Sequence, residues 1–218
     1  MKLEWDKIGE HLYETGTDHG VIYTIDDEGK YNEGVVWNGL TAVSESPDGA
    51  EPTDLWADNI KYASIRSAEN FKATIEAYTY PDEFAECDGS VELVKGVTIG
   101  QQPRRSFGFS YRTRVGNEVL FDDYGYKLHL VYGCSVSPSE KSYATINDSP
   151  EAITFSWEMT TNPVQVKDHK PTAILIIDST KVNKEDLEAF EEVLYGSATA
   201  GARLPLPDEV AEFFGSAS

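Results

Sequence analysis

With 218 residues, 40% of them hydrophobic and 11% aromatic, the chain can bury a core of its own, which excludes bulk disorder. A formal net charge of −20 opposes adhesion to nucleic acid, because holding phosphates takes clustered Lys and Arg. No apolar run approaches the roughly 18 residues of a membrane-spanning helix.

The N-terminal stretch Met1–Lys7 lacks the apolar core of a signal peptide, which predicts a protein that stays in the cytoplasm of its producing cell. Residues 1–30 read as a strand pair: Tyr13, a turn-rich Glu14–Gly20, then the β-prone Val21–Ile25, closed by a turn at Asp26–Lys30. A strand at about 33–44 leads into Glu45–Asp54, whose Ser, Pro, Asp and Gly residues predict a loop. Pro47 and Pro52 stiffen that loop, so it reads as an ordered projecting arm. Strands follow near 60–67 and 70–79. In the latter, Phe71, Ala73, Ile75 and Ala77 share one face while Lys72, Thr74, Glu76 and Tyr78 share the other. Tyr80–Glu86 predicts one or two helical turns with Pro81 at the first position.

Alternation returns at Phe107/Phe109/Tyr111, at Tyr126/Leu128/Leu130/Tyr132 and at Ile153/Phe155/Trp157/Met159, giving strands at about 106–114, 125–135 and 152–160. Ala173–Ile177 is a short buried strand. The period then changes. Asn183 caps a helix with Asp186 in an approximate capping box, Leu187, Phe190 and Leu194 form its apolar stripe, and Gly196 stops it. A small-residue linker, Ser197–Gly201, precedes a last helix opened by Pro207. Val210, Phe213 and Phe214 there require a surface, either on this domain or on a neighbouring subunit. The organisation is thus a β domain over 1–180 and a C-terminal appendage over 181–218.

The acidity is uneven. Residues 1–60 hold 14 acids against three lysines, residues 61–181 hold 16 acids and 13 bases, and residues 182–218 hold eight acids and two bases. Two readings stand: solubility, or a need to lie near DNA without sticking or to meet a basic partner. Cys87 and Cys134 have no metal or redox spacing and read as reduced and structural.

No nucleophile elbow, phosphate-binding loop, zinc spacing or EF-hand loop is present. His11 and His19 lie among Glu10, Glu14 and Asp18, but nothing fixes a metal geometry and surface solvation is favoured. His129, on the polar face of a strand, and His169, in a Lys-rich turn, read as surface residues. Asp122 and Asp123 point apart if extended, and their Gly and Tyr neighbours predict a hairpin turn over acid/base work. Arg104, Arg105, Arg112 and Arg114 interleave with aromatics, yet the rings share one strand face and the later arginines the other. That pattern predicts core rings and a basic counter-surface, not a stacking platform for single strands.

Several segments, in order, resemble the major tail proteins (tail-tube proteins) of long-tailed non-contractile bacteriophages. They are Trp37–Leu40, Ser46–Pro52, Trp56–Tyr62, Glu76–Phe84, Cys87–Gly89, Phe107–Gly108, Tyr111–Thr113, Gly116–Asn117, Gly125–Gly133, Phe155–Trp157 and Thr160–Val164. Trp56 departs from the tyrosine of that pattern, a change conservative for packing. The stretch after Pro171 lies outside the resemblance.

The resemblance implies a mainly β fold, a β-sandwich of the barrel-forming tail-tube type with a flanking α-helix and a long projecting loop. It implies a structural virion protein, not an enzyme, without cofactor or metal. Hexameric rings of the chain would stack into a hollow tail tube, assembled in the host cytoplasm, through which double-stranded DNA passes without specific binding. Its partners would be further copies of itself and, by analogy, tape-measure, tail-terminator and distal tail proteins, with no membrane. Sheet edges need covering, and ring closure covers them. Candidate inter-subunit or inter-ring contacts are Trp37, Asp48, Glu51, Asp54, Trp56 and Asp58, around the acidic arm at 45–58, with Arg104, Arg105, Arg112 and Arg114 opposite. The alternative expectation is a β-sandwich carbohydrate-binding or other adhesion module, with Trp5, Trp37 and Trp56 stacking on sugars. A hydrolase using acidic pairs is a third class, for which no substrate suggests itself.

Overall fold

The alternating segments become strands of an antiparallel sheet that folds over on itself. The computed structural model describes residues 3–49, 51–146, 148 and 151–215, so Met1 and Lys2 of the N-terminal stretch and Ala50 of the acidic loop lie outside it. In chain order come β1 (Tyr13–Ile25), β2 (Tyr31–Val36), β3 (Leu40–Glu45), β4 (Asp48–Gly49), β5 (Pro52–Ala57), β6 (Ile60–Arg66), β7 (Glu69–Asn70) and β8 (Lys72–Ala77). The single turn α1 (Phe84–Cys87) precedes β9 (Val91–Val94), β10 (Val97–Ile99), β11 (Phe107–Asn117), β12 (Phe121–Val136), β13 (Phe155–Thr161) and β14 (Ile174–Asp178). Helices α2 (Lys184–Tyr195) and α3 (Pro207–Gly215) end the described chain.

The main sheet runs β2-β1-β11-β12-β13-β8-β3, with β14 also paired to β12. On one edge β12 follows β11. On the other it pairs β14 through Lys127–Val131, then β13 through Cys134–Val136. Gly133 sits at the changeover with φ +60°, and a Cβ there would lie 2.2 Å from the Asn162 carbonyl oxygen, so the switch needs glycine. A register shift opposite, between Phe107 and Phe109, bends the pair as a bulge does and lets the sheet divide.

The central strands therefore bury both faces. Ile22, Phe107, Phe109, Tyr111 and Val131 meet Ala73, Ile75, Trp157 and Met159 from the folded-over half in one core. Val21, Tyr23, Leu128, Leu130 and Tyr132 meet α2 and the C-terminal segment in a second. The stripe Leu187, Phe190 and Leu194 is buried, and Asn183 caps α2 by accepting from the Glu185 amide at 2.8 Å. Phe213 and Phe214 pack on Phe190, so the terminal helix docks on this domain. The linker before it lies along β2: Gly34 donates to the Ala202 carbonyl at 2.9 Å and Leu204 to that of Tyr31 at 3.0 Å.

Several local expectations change. Residues 14–20 are no turn but part of β1, with register shifts at Thr15/Thr17 and Asp18/Val21, because Gly16 and His19 take positive φ inside a bulged strand. The strand expected at 33–44 breaks at Gly39 into β2 and β3, which end on opposite flanks of the sheet. Pro81 precedes α1 instead of opening it. The turn expected at Asp122–Asp123 falls at residues 118–120, where the Asn117 side chain accepts from the Val119 and Leu120 amides, and both aspartates lie in β12.

His129 is no surface residue. It is 6% exposed, stacks on Tyr111 with ring centroids 4.5 Å apart, and shares a hydrogen bond with Thr113 Oγ1 at 2.9 Å. Its Nδ1 lies 3.4 Å from Glu45 Oε1, and Tyr111 donates to the same carboxylate. The His129 ring beside it and the Tyr111 hydroxyl that donates to it lower the Glu45 carboxyl pKa against its partial burial. Glu45 ends β3, so this cluster pins the point from which the acidic arm leaves the sheet.

Candidate assembly interface

The acidic segment is an arm, but a β-hairpin and not a loop. β5 and β6 pair from Pro52↔Arg66 to Ala57↔Ile60, and the short pair β4–β7 lies at their base. Two residues turn the hairpin, Asp58 at φ +50° and Asn59 at φ +62°. Successive positive φ values define the turn whose twist suits a two-residue hairpin, and Asp and Asn tolerate them. Asp54 ties the strands together on one face, accepting from Lys61 and from Ser64 Oγ at 2.9 Å. These bonds depress its carboxyl pKa.

Cross-strand register fixes the two faces of the arm. Asp54, Trp56, Lys61 and Ser64 share one; Thr53, Leu55, Ala57, Ile60, Ala63 and Ile65 share the other. Leu55, Ile60 and Ile65 are exposed, and the strands touch chiefly each other. The arm is thus amphipathic, with its apolar side in water.

A second hairpin escaped the sequence reading. β9 and β10 pair Val94↔Val97 and Val91↔Ile99 across Lys95-Gly96, with Gly96 at φ +80°. Val91, Val94, Val97 and Ile99 fall on one face, and all four are exposed. The signal was present: two runs rich in Val and Ile around a Gly-containing pair of residues.

The expected contact residues divide. Trp56 stands 69% exposed on the arm, and Asp58 and Glu51 are exposed there too. Asp48 is spent on Lys72 at 2.8 Å. Trp37 is 2% exposed, among Phe84, Phe109 and Trp157, and its Nε1 donates to the Thr79 carbonyl at 2.9 Å. That position corrects its reading as a contact or sugar-stacking residue: it serves the core. Trp5 is 75% exposed.

The arginines find acids in their own chain. Arg104 donates to the Asp88 carbonyl at 3.0 Å, and Arg105 to Glu86 at 3.0 Å. Arg112 holds Asp18 in a two-pronged bond, with Arg114 on the same carboxylate at 3.2 Å. The Arg112 hydrogen bond leads in pulling the Asp18 carboxyl down to about 2. Arg105 and Arg114 remain the more exposed of the four.

Among the described residues no group of three His, Cys, Asp or Glu side chains is placed to hold a metal ion, and no helix is long and apolar enough to cross a membrane. His11 bridges Asp6 and Glu118, and His19 contacts Asp18. The surface leaves apolar side chains in water on two amphipathic hairpins and on an N-terminal segment with Leu3, Trp5, Ile8 and Leu12 exposed, where Glu118 accepts from the Gly9 amide. No family model matches the chain, and no curated protein matches it either.

Proposed function

We propose that the chain is a structural subunit that assembles with copies of itself into stacked rings, the tail tube of a long-tailed non-contractile phage. One observation carries the reading: a domain with two well-packed cores holds out two hairpins whose apolar faces lie in water. Monomeric proteins rarely leave such faces bare, and a two-stranded hairpin is marginal alone. Burial against neighbouring copies resolves both problems. The ordered segments quoted above supply the tail-tube part of the proposal, the hexameric ring and the passage of DNA included. Tape-measure, terminator and distal tail proteins are then further partners, and the virion tail is the location.

The second reading, a carbohydrate-binding or other adhesion module, rests on Trp5 and Trp56. Negative-stain electron microscopy of the concentrated protein, with its mass measured in solution, separates the two. Stacked rings or tubes of uniform bore support the assembly. A chain that stays strictly monomeric at high concentration goes against it and favours the module.

A further inference from the structure

The two hairpins are different surfaces of one chain, and each lacks a cover of the same kind. We infer that the apolar face of β5–β6 in one copy packs on the apolar face of β9–β10 in the next. This contact rests on the assembly reading and names its partner surfaces.

Chemistry comes first. The arm presents Leu55, Ile60 and Ile65 with Ala57 and Ala63; the second hairpin presents Val91, Val94, Val97 and Ile99. Both faces are aliphatic, formed by cross-strand pairs on short twisted ribbons, and such faces stack about 10 Å apart like the layers of a sandwich. Neither shows a buried polar group that the other would have to satisfy.

Charge then chooses between partners. Residues 45–66 carry Glu45, Asp48, Glu51, Asp54 and Asp58 against Lys61 and Arg66. Residues 86–106 balance Lys95, Arg104 and Arg105 against Glu86, Asp88 and Glu92, with Arg104 and Arg105 held by Asp88 and Glu86. Arm on arm sets acid against acid. Arm on second hairpin sets the acidic segment beside a neutral one, without that repulsion and with Lys95 at the tip of its ribbon. Because the two faces differ, the contact is heterologous: every copy gives an arm and receives one. Repetition of such a contact closes a ring or extends a filament and does not stop at a dimer.

Cross-linking reads the pairing directly, since Cys87 and Cys134 are buried and unpaired. Leu55→Cys and Val97→Cys proteins are prepared singly and mixed in equal amounts under mild oxidation, with wild-type assembly followed by electron microscopy. The expected result is a reducible dimer in the mixture and none with either protein alone. Ile60→Cys with Val94→Cys repeats the test should the first pair disturb folding. A mixture that assembles into rings or tubes without cross-linking overturns the pairing and leaves the assembly reading standing. Cross-linking of Leu55→Cys with itself overturns it in favour of arm on arm. Wild-type protein that never assembles overturns both.

Discussion

Arg112 grips Asp18 across the β1–β11 pair, Nε to Oδ1 at 2.7 Å and Nη2 to Oδ2 at 3.0 Å, and the two residues are partners in register. An arginine that charge pattern offers to a neighbour is committed within its own chain. Bidentate geometry with partial burial makes this pair more than an exposed ion pair of about 1 kcal/mol or less.

That pair makes stability depend on pH. Asp18 titrates at about 2 in the folded chain, pulled down chiefly by the Arg112 hydrogen bond. It titrates at about 3.9 when unfolded, so its contribution is full above about pH 5 and disappears as pH falls through the folded value. Asp18→Asn is expected to lower stability by about 2 kcal/mol at pH 7 and by about half of that near pH 3. Urea unfolding of both proteins at the two pH values measures it, and a gap that ignores pH refutes the assignment.

Two tryptophans are expected to behave oppositely. Trp37→Ala empties a site ringed by Phe84, Phe109 and Trp157 and is expected to cost about 3–5 kcal/mol. Trp56→Ala touches no core and is expected to change monomer stability by about 0.5 kcal/mol or less while weakening assembly. Denaturant midpoints and sedimentation together decide; equal losses of stability speak against the division.

The arm tip offers a backbone test. Asn59 sits at φ +62°, where glycine is strain-free and a β-branched residue is not. Asn59→Gly is expected to slow amide exchange across β5 and β6, and Asn59→Val to accelerate it, with the amides of the main sheet unchanged. Equal exchange in all three proteins excludes a hairpin turn there.

Both thiols are expected to be inert until the chain unfolds. Burial pushes the Cys87 thiol up to about 12 and holds Cys134 well above its ordinary value too, so little thiolate exists to react. A thiol reagent at pH 8 is expected to find no reactive group in the native protein and both after denaturation. Rapid labelling of the native protein disproves that placement.

How much of this was legible depends on what set each feature. Alternation at Ala73/Ile75/Ala77 and Phe107/Phe109/Tyr111, and the stripe of α2, read correctly because periodicity is local and burial follows it. The 45–58 segment read as an ordered arm, but its pairing did not, since Pro47, Pro52 and Gly49 carry loop signals even where strands form. Gly16 and His19 looked like a turn because bulges and turns draw on the same positive-φ residues. His129 lies on what is a polar face in alternation, yet Tyr111 and Glu45 cover it from β11 and β3, both distant in sequence. The same holds for the arginines: their basic cluster is visible, while Asp18, Glu86 and Asp88 reach them only through the fold.

The strap at Ala202–Leu204 closes the outer edge of β2 with backbone hydrogen bonds, and it does so from the far end of the chain. During synthesis β2 leaves the ribosome long before the residues that will cover it. The edge is bare for most of that interval, open to any strand that meets it. Synthesis of residues 202–204 is therefore what closes this flank: a product cut short before residue 202 keeps it open to pairing.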